Sequence, residues 1–225
     1  MKNLKLIISA IFALNLSLFA DISLGVEYGH FSTEDNKVYN VESLSNIVGG
    51  NSSALTVKVG SSNTPSQGIL KNIKTNVFVY GTFYDSEKHN EMVFGIGCEG
   101  QTKKLFNLFR LKGEVRAGGG YQNSNGDSID LNSNVSTINY ITGNYTTGNF
   151  KGVLTKDTSV IEYDIGVGAV FDTGVKNLTI DTGVIYHSKN YSFSYLIDGD
   201  SNGGNTMSGV VQDNYEFSLG LNYSF

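Results

Sequence analysis

From Asp21 onward, apolar side chains recur at every second position. The last segment shows this most cleanly: Tyr215, Phe217, Leu219, Leu221, Tyr223 and Phe225 alternate with Asn214, Glu216, Ser218, Gly220, Asn222 and Ser224. Successive side chains of a strand point to opposite faces, so the pattern predicts a strand with one apolar and one polar face. Similar faces are formed by Ile22, Leu24, Val26 and Tyr28; by Leu55, Val57 and Val59; and by Met92, Phe94, Ile96 and Cys98. Further along come Phe109, Leu111, Val115 and Ala117; then Ile161, Tyr163, Ile165, Val167, Ala169 and Phe171; then Leu178, Ile180, Val184 and Tyr186. Ile73 to Tyr84 is an eighth strand with Val77, Val79 and Phe83 on one side and Phe78, Tyr80 and Tyr84 on the other, so its outward face stays open.

Eight strands of roughly 8 to 13 residues are long enough to cross a bilayer at a tilt near 45°. The connections between them alternate in length. Those at Ser32 to Ser52, Asp85 to Asn90, Gln122 to Thr158 and Ser188 to Asp213 fall on one rim, and three of these are the longest in the chain. Pro65, the one proline, lies in a predicted turn on the other rim, where a missing N–H breaks no ladder. Long loops on one rim and short turns on the other are the asymmetry of outer-membrane barrels.

Facing decides between two all-β folds. With the apolar faces inward the chain is a soluble, lipocalin-like barrel; with them outward it is a membrane barrel. Charged residues make up 16% of the chain, against roughly 25% in soluble domains. Tyr28, Tyr84, Tyr163, Tyr186, Tyr223 and Phe225 lie near strand ends, where rings favour the headgroup layer. In hydrocarbon each unpaired backbone group costs several kcal/mol, so short strands survive there only in a closed sheet. The predicted fold is therefore an all-β, eight-stranded antiparallel up-and-down transmembrane β-barrel.

The first twenty residues are separate. Lys2 and Lys5 precede an apolar run from Leu6 to Phe19 that is too short to span as a helix, which predicts a signal peptide over residues 1–20 and a barrel domain over 21–225. The net charge is −5, and loss of the leader makes it more negative, which excludes nucleic acid as a partner by charge. One Cys and three His argue against a disulfide framework and a His-based metal centre, so no cofactor is expected, and Cys98 is expected buried or facing lipid.

Outward apolar faces send the other set inward: Glu27, Lys58, Glu99, Arg110, Lys112, Glu114, Arg116, Glu162, Asp164, Asp181 and Glu216. Buried charges persist only with partners, and an eight-stranded interior fills with side chains, so this set predicts a charge-paired plug; a narrow ion path favouring cations is the alternative. Arg116 is expected opposite or diagonal to Asp164 and Glu162, within reach of a paired contact. His187 and Ser188 are the residue types of lipid-modifying barrel enzymes, but neighbours on a strand face opposite ways and no third orienting group is evident, so no catalytic residue is expected. His30 and His89 are expected to be solvated. Asp198, Asp200, Asn202 and Gly203 open like a calcium loop, yet Gly209 stands where the closing Glu belongs, and Asn123 to Asp130 is a similarly loose cluster; a polar loop is the expectation for both. Within Gln122 to Thr158, the runs flanking Gly143-Asn144 suggest a hairpin, and Tyr191, Phe193, Tyr195 and Leu196 suggest that the seventh strand continues past the membrane.

On these features the chain resembles the eight-stranded outer-membrane β-barrel superfamily of Gram-negative bacteria, which includes the membrane domain of outer membrane protein A, the OmpX and Ail group and the opacity-type adhesins. The sharpest point is Tyr215-x-Phe217-x-Leu219-x-Leu221-x-Tyr223-x-Phe225, which is similar to the C-terminal signal read by the barrel assembly machinery. The resemblance implies an outer-membrane location, insertion by that machinery, and contact with outer-membrane lipids and lipopolysaccharide. It also implies a structural or surface-interaction role of the opacity or adhesin kind, with host or cell-surface ligands as further partners and a monomeric state. A narrow porin is the second functional reading, and a lipid-modifying enzyme the third.

Overall fold

The structure is a computed structural model that describes residues 21–32, 37–39, 52–64, 73–85, 90–123, 128–138, 145–154, 157–197 and 205–225. The predicted leader and the Asp198 to Gly203 loop lie outside these residues, as do His89 and Pro65. Among the described residues there are eleven strands: β1 (Ile22–Phe31), β2 (Lys37–Tyr39), β3 (Ser53–Asn63), β4 (Lys74–Asp85), β5 (Asn90–Gln101), β6 (Phe109–Asn123), β7 (Ser128–Ile138), β8 (Tyr145–Leu154), β9 (Asp157–Asp172), β10 (Leu178–Ile197) and β11 (Asn205–Ser224).

Eight of them close a circuit. Strands β1, β3, β4, β5, β6, β9, β10 and β11 pair antiparallel in that order, and β11 returns to β1 with Ser23 opposite Ser224 and Val26 opposite Leu221. Closure leaves no edge inside the barrel, which is what a sheet in hydrocarbon requires. Each strand neighbours the next in the circuit, so the topology is up-and-down.

The period of two sets the facing. Along β1, Ile22, Leu24, Val26, Tyr28 and His30 are exposed while Ser23, Gly25, Glu27, Gly29 and Phe31 are buried. The predicted apolar faces of β5, β6, β9 and β11 likewise point out, and Cys98 points out with them. The open question in β4 resolves with Val79 and Phe83 outside and Phe78, Tyr80 and Tyr84 buried within. Tyr84 therefore departs from the expected headgroup position: it shares parity with Phe78 and Tyr80 and enters the lumen.

Aromatic rings border the outward belt. On the rim of short turns Phe109 stacks near Phe171 at 5.9 Å and Tyr223 near Phe225 at 4.9 Å; toward the loop rim Tyr186 meets Tyr215 at 5.3 Å. The β5–β6 turn uses Phe106 and Asn107 at φ 52° and 59°, the two left-handed positions that a tight primed turn needs.

Beyond the loop rim, β10 and β11 outrun their barrel neighbours. Their pairing continues past a register shift at Tyr191/Ser192 to Tyr195 opposite Asn205. There β11 takes β2 as its neighbour and β10 takes β8, which pairs in turn with β7. The expected hairpin between the fifth and sixth barrel strands is thus present as β7 and β8. The result is a five-stranded sheet in the order β2, β11, β10, β8, β7 standing on one side of the barrel mouth.

Candidate functional site

Inside the barrel, two charged clusters stack along the axis. The cluster nearer the turn rim is a balanced network of three cations and three acids. Lys58 Nζ donates to Glu27 at 2.5 Å and to Glu114 at 3.1 Å; Arg116 donates to Glu27 at 2.7 Å and to Glu114 at 2.5 Å; Lys112 donates to Asp181 at 2.5 Å and lies 3.9 Å from Glu114. These contacts cross the lumen and tie β1, β3, β6 and β10 together. Glu99 sits below them, accepting a hydrogen bond from Gln101 at 2.6 Å.

The cluster nearer the loops is richer in acid. His187 lies between Asp164 at 2.9 Å and Glu216 at 3.0 Å, with its ring 5.4 Å from that of Phe31. Lys189 donates to Glu91 at 2.7 Å, lies 3.4 Å from Glu162, and stands 3.2 Å from the centroid of the Tyr84 ring. The Tyr84 hydroxyl donates to Glu162 at 2.6 Å, and the Tyr191 hydroxyl meets Glu91 at 2.8 Å and Gln212 at 2.9 Å. Counted over both clusters and the described residues, the interior buries eight carboxylates against four lysine or arginine side chains and one histidine.

Ten of the eleven residues assigned to the lumen from sequence are buried there: Glu27, Lys58, Glu99, Lys112, Glu114, Arg116, Glu162, Asp164, Asp181 and Glu216. Arg110 is the exception. It lies half-exposed at the turn rim, where it and Lys104 hold Asp172. Arg116 does stand opposite Asp164 in register, but its guanidinium reaches across the lumen to Glu27 and along its own strand to Glu114 instead of to Asp164 or Glu162. Asp164 turns to His187. Glu91, His187 and Lys189 were absent from the expected set, although parity points to each of them, since Met92 and Tyr186 face out. Ser188 lies on the opposite face from His187 and the two form no dyad.

Glycines make room for this network. A Cβ on Gly29 would overlap the Glu216 carboxyl, and one on Gly220 would overlap Asp181 Oδ1. Gly29→Val should therefore cost about 1–3 kcal/mol by overpacking and displace Glu216 from His187, despite the better strand propensity of valine. Gly113 faces out with no atom of the described residues within 4 Å of such a Cβ, so Gly113→Val should be neutral or stabilising. Urea unfolding of both variants in detergent micelles checks the contrast.

No family model matches the sequence, and no curated protein does. Among solved structures the chain is similar to a major outer membrane protein from Thermus thermophilus, at 10% identity over 91% of this chain and 99% of that one, with a TM-score of 0.40. It is also similar to outer membrane protein AlkL determined in DMPC lipid bilayers, at 16% identity over 92% and 90% of the chains and a TM-score of 0.39. The outer membrane protease OmpT from Escherichia coli aligns at 12% identity over 91% and 95%, with a TM-score of 0.37. The barrel's own construction carries the assignment: a closed hydrogen-bond circuit, an exterior of exposed Leu, Ile, Val and Phe, and an interior of paired charge are the inverse of a soluble fold. This chain is an eight-stranded antiparallel up-and-down transmembrane β-barrel.

Proposed function

We propose that the barrel is a membrane anchor for a surface-interaction sheet, a structural role of the opacity or adhesin type, with its lumen closed. The observation that carries this reading is the five-stranded sheet built on the extensions of β10 and β11. From Asn205 to Tyr215, β11 runs about 36 Å along its length beyond its last pairing with β1 at Glu216, at 3.3 Å per residue. A regular sheet there presents a shaped surface, and loop-borne surfaces on rigid scaffolds are where contacts with partners concentrate. Lipopolysaccharide and host or cell-surface ligands are the partners that such a surface meets. Tyr215, Phe217, Leu219, Leu221, Tyr223 and Phe225, all exposed to lipid, support insertion through the C-terminal strand by the barrel assembly machinery. No catalytic role is assigned to the barrel.

The lumen favours closure because its lower network crosses the interior with direct ion pairs. Purified protein in a planar bilayer should show no steady conductance. The surplus of acid supports the alternative of a cation path, and stable cation-selective steps abolished by Glu27→Gln would establish it in place of closure. Deleting residues 128–154 should leave the heat-dependent gel shift of the folded barrel intact while removing binding of whole cells to their surface targets; unchanged binding would count against the sheet as the contact surface.

A further inference from the structure

The upper cluster holds a grouping whose donor atoms its ion pairs do not exhaust. Glu162 and Asp164 on β9 and His187 on β10 are buried, and one ligand-capable atom of each lies within 4.8 Å of the others. The register sets Asp164 directly opposite His187, with Glu162 at the next inward position of the same strand. Two carboxylates and an imidazole are a donor set suited to a divalent transition metal, because mixed nitrogen and oxygen ligands match the borderline ions.

A second observation points into the same spot. Among the described residues Asp164 Oδ2 is buried without a hydrogen-bond partner, even though Asp164 Oδ1 contacts His187 at 2.9 Å. Glu162 Oε2 takes the short Tyr84 hydrogen bond, and among the described residues Oε1 has the long Tyr80 contact at 3.4 Å. On the other side of the ring, His187 Nε2 lies 3.0 Å from Glu216 Oε2. Charge argues the same way. Glu91, Glu162, Asp164 and Glu216 share Lys189 and His187, and Lys189 is already held by Glu91 at 2.7 Å.

We propose that Glu162, Asp164 and His187 form a binding site for one divalent transition-metal cation, with His187 Nδ1 as the nitrogen ligand and Glu216 accepting the Nε2 proton. A carboxylate behind a ligating histidine fixes its tautomer and orientation, which is the role Glu216 fills. The metal supplies the positive charge that the upper cluster lacks and locks β9, β10 and β11 together around it.

The test uses the full barrel, stripped with chelator, refolded in detergent with cobalt(II), and followed by visible absorption. The expected result is one cobalt per barrel with ligand-field bands, retained in a His30→Gln/His89→Gln variant in which His187 is the one remaining imidazole. In that variant, pulsed EPR of the bound ion should show nitrogen hyperfine coupling. Glu216→Gln should weaken binding by about tenfold or more, and Asp164→Asn should abolish it with the heat-dependent gel shift retained. If Asp164→Asn does not fold, the double-histidine variant decides alone. Absence of stoichiometric cobalt, or cobalt without nitrogen coupling in that variant, overturns the site and leaves a protonated His187 as the cation of this cluster.

Discussion

Arg116→Met should unfold the barrel at markedly lower urea, with a loss of about 3–5 kcal/mol, the largest single-residue effect in the lumen. The reason is what remains. Glu27 and Glu114 are both buried, and each loses its contact with the guanidinium at 2.7 and 2.5 Å. Lys58 then serves both carboxylates, and one negative charge stays uncompensated where water is scarce. The pair in itself adds little net stability, because desolvating its members offsets most of their attraction. Hence Arg116→Met combined with Glu27→Gln should recover at least about half of the loss, because Lys58 then retains Glu114 and Lys112 retains Asp181. Urea titrations of the two variants in the same detergent measure the coupling. Equal destabilisation of single and double variants would show that Arg116 acts through packing alone.

The second large effect lies on the opposite face of the same wall. Val167→Arg should cost about 2–4 kcal/mol, the penalty for a cation at the bilayer midplane. Val167 is 65% exposed and is central in the outward run Tyr163, Ile165, Val167, Ala169 and Phe171, so its surroundings are the acyl chains. On a soluble protein a residue that exposed would accept arginine within about 0.5 kcal/mol. Ser159→Arg, toward the loop rim of the same strand, should be close to neutral, since the penalty falls off near the interface. Folding titrations into lipid vesicles separate the two positions.

The barrel was legible because alternation survives in the sequence wherever one face meets lipid. Side chains in hydrocarbon must be apolar, and those in the lumen are free to be polar, so β1, β9 and β11 each declare their facing residue by residue. Where the rule weakens, the reading weakens with it. In β4, Phe78, Tyr80 and Tyr84 are as apolar as the outward set, and only the structure shows Tyr80 and Tyr84 turned toward Glu162. Glu91 and His187 follow from parity applied to the full length of each predicted strand, and Lys189 from carrying it past Ser188, where β10 continues to Ile197. Partner choice was beyond reach. A lumen contact such as Arg116 to Glu27 joins β6 to β1, strands that are not neighbours in the wall, so no register argument along adjacent strands could supply it. The extended sheet was foreseen in its pieces, the continuing seventh strand and the hairpin in the longest connection; that they join each other and β2 is a long-range pairing with no local signature.

Everything in this fold turns on which face of the wall meets lipid, and the chain carries its own probe for that. Cys98 is the single cysteine of the 225 residues and is exposed on the outside of β5. A nitroxide attached to Cys98 in the vesicle-inserted protein should collide readily with dissolved oxygen and be shielded from a water-soluble nickel complex, the signature of a lipid-facing side chain. A nitroxide relaxed by the nickel complex and sheltered from oxygen would turn the wall around, placing the charged set in water and the apolar set inside a soluble barrel.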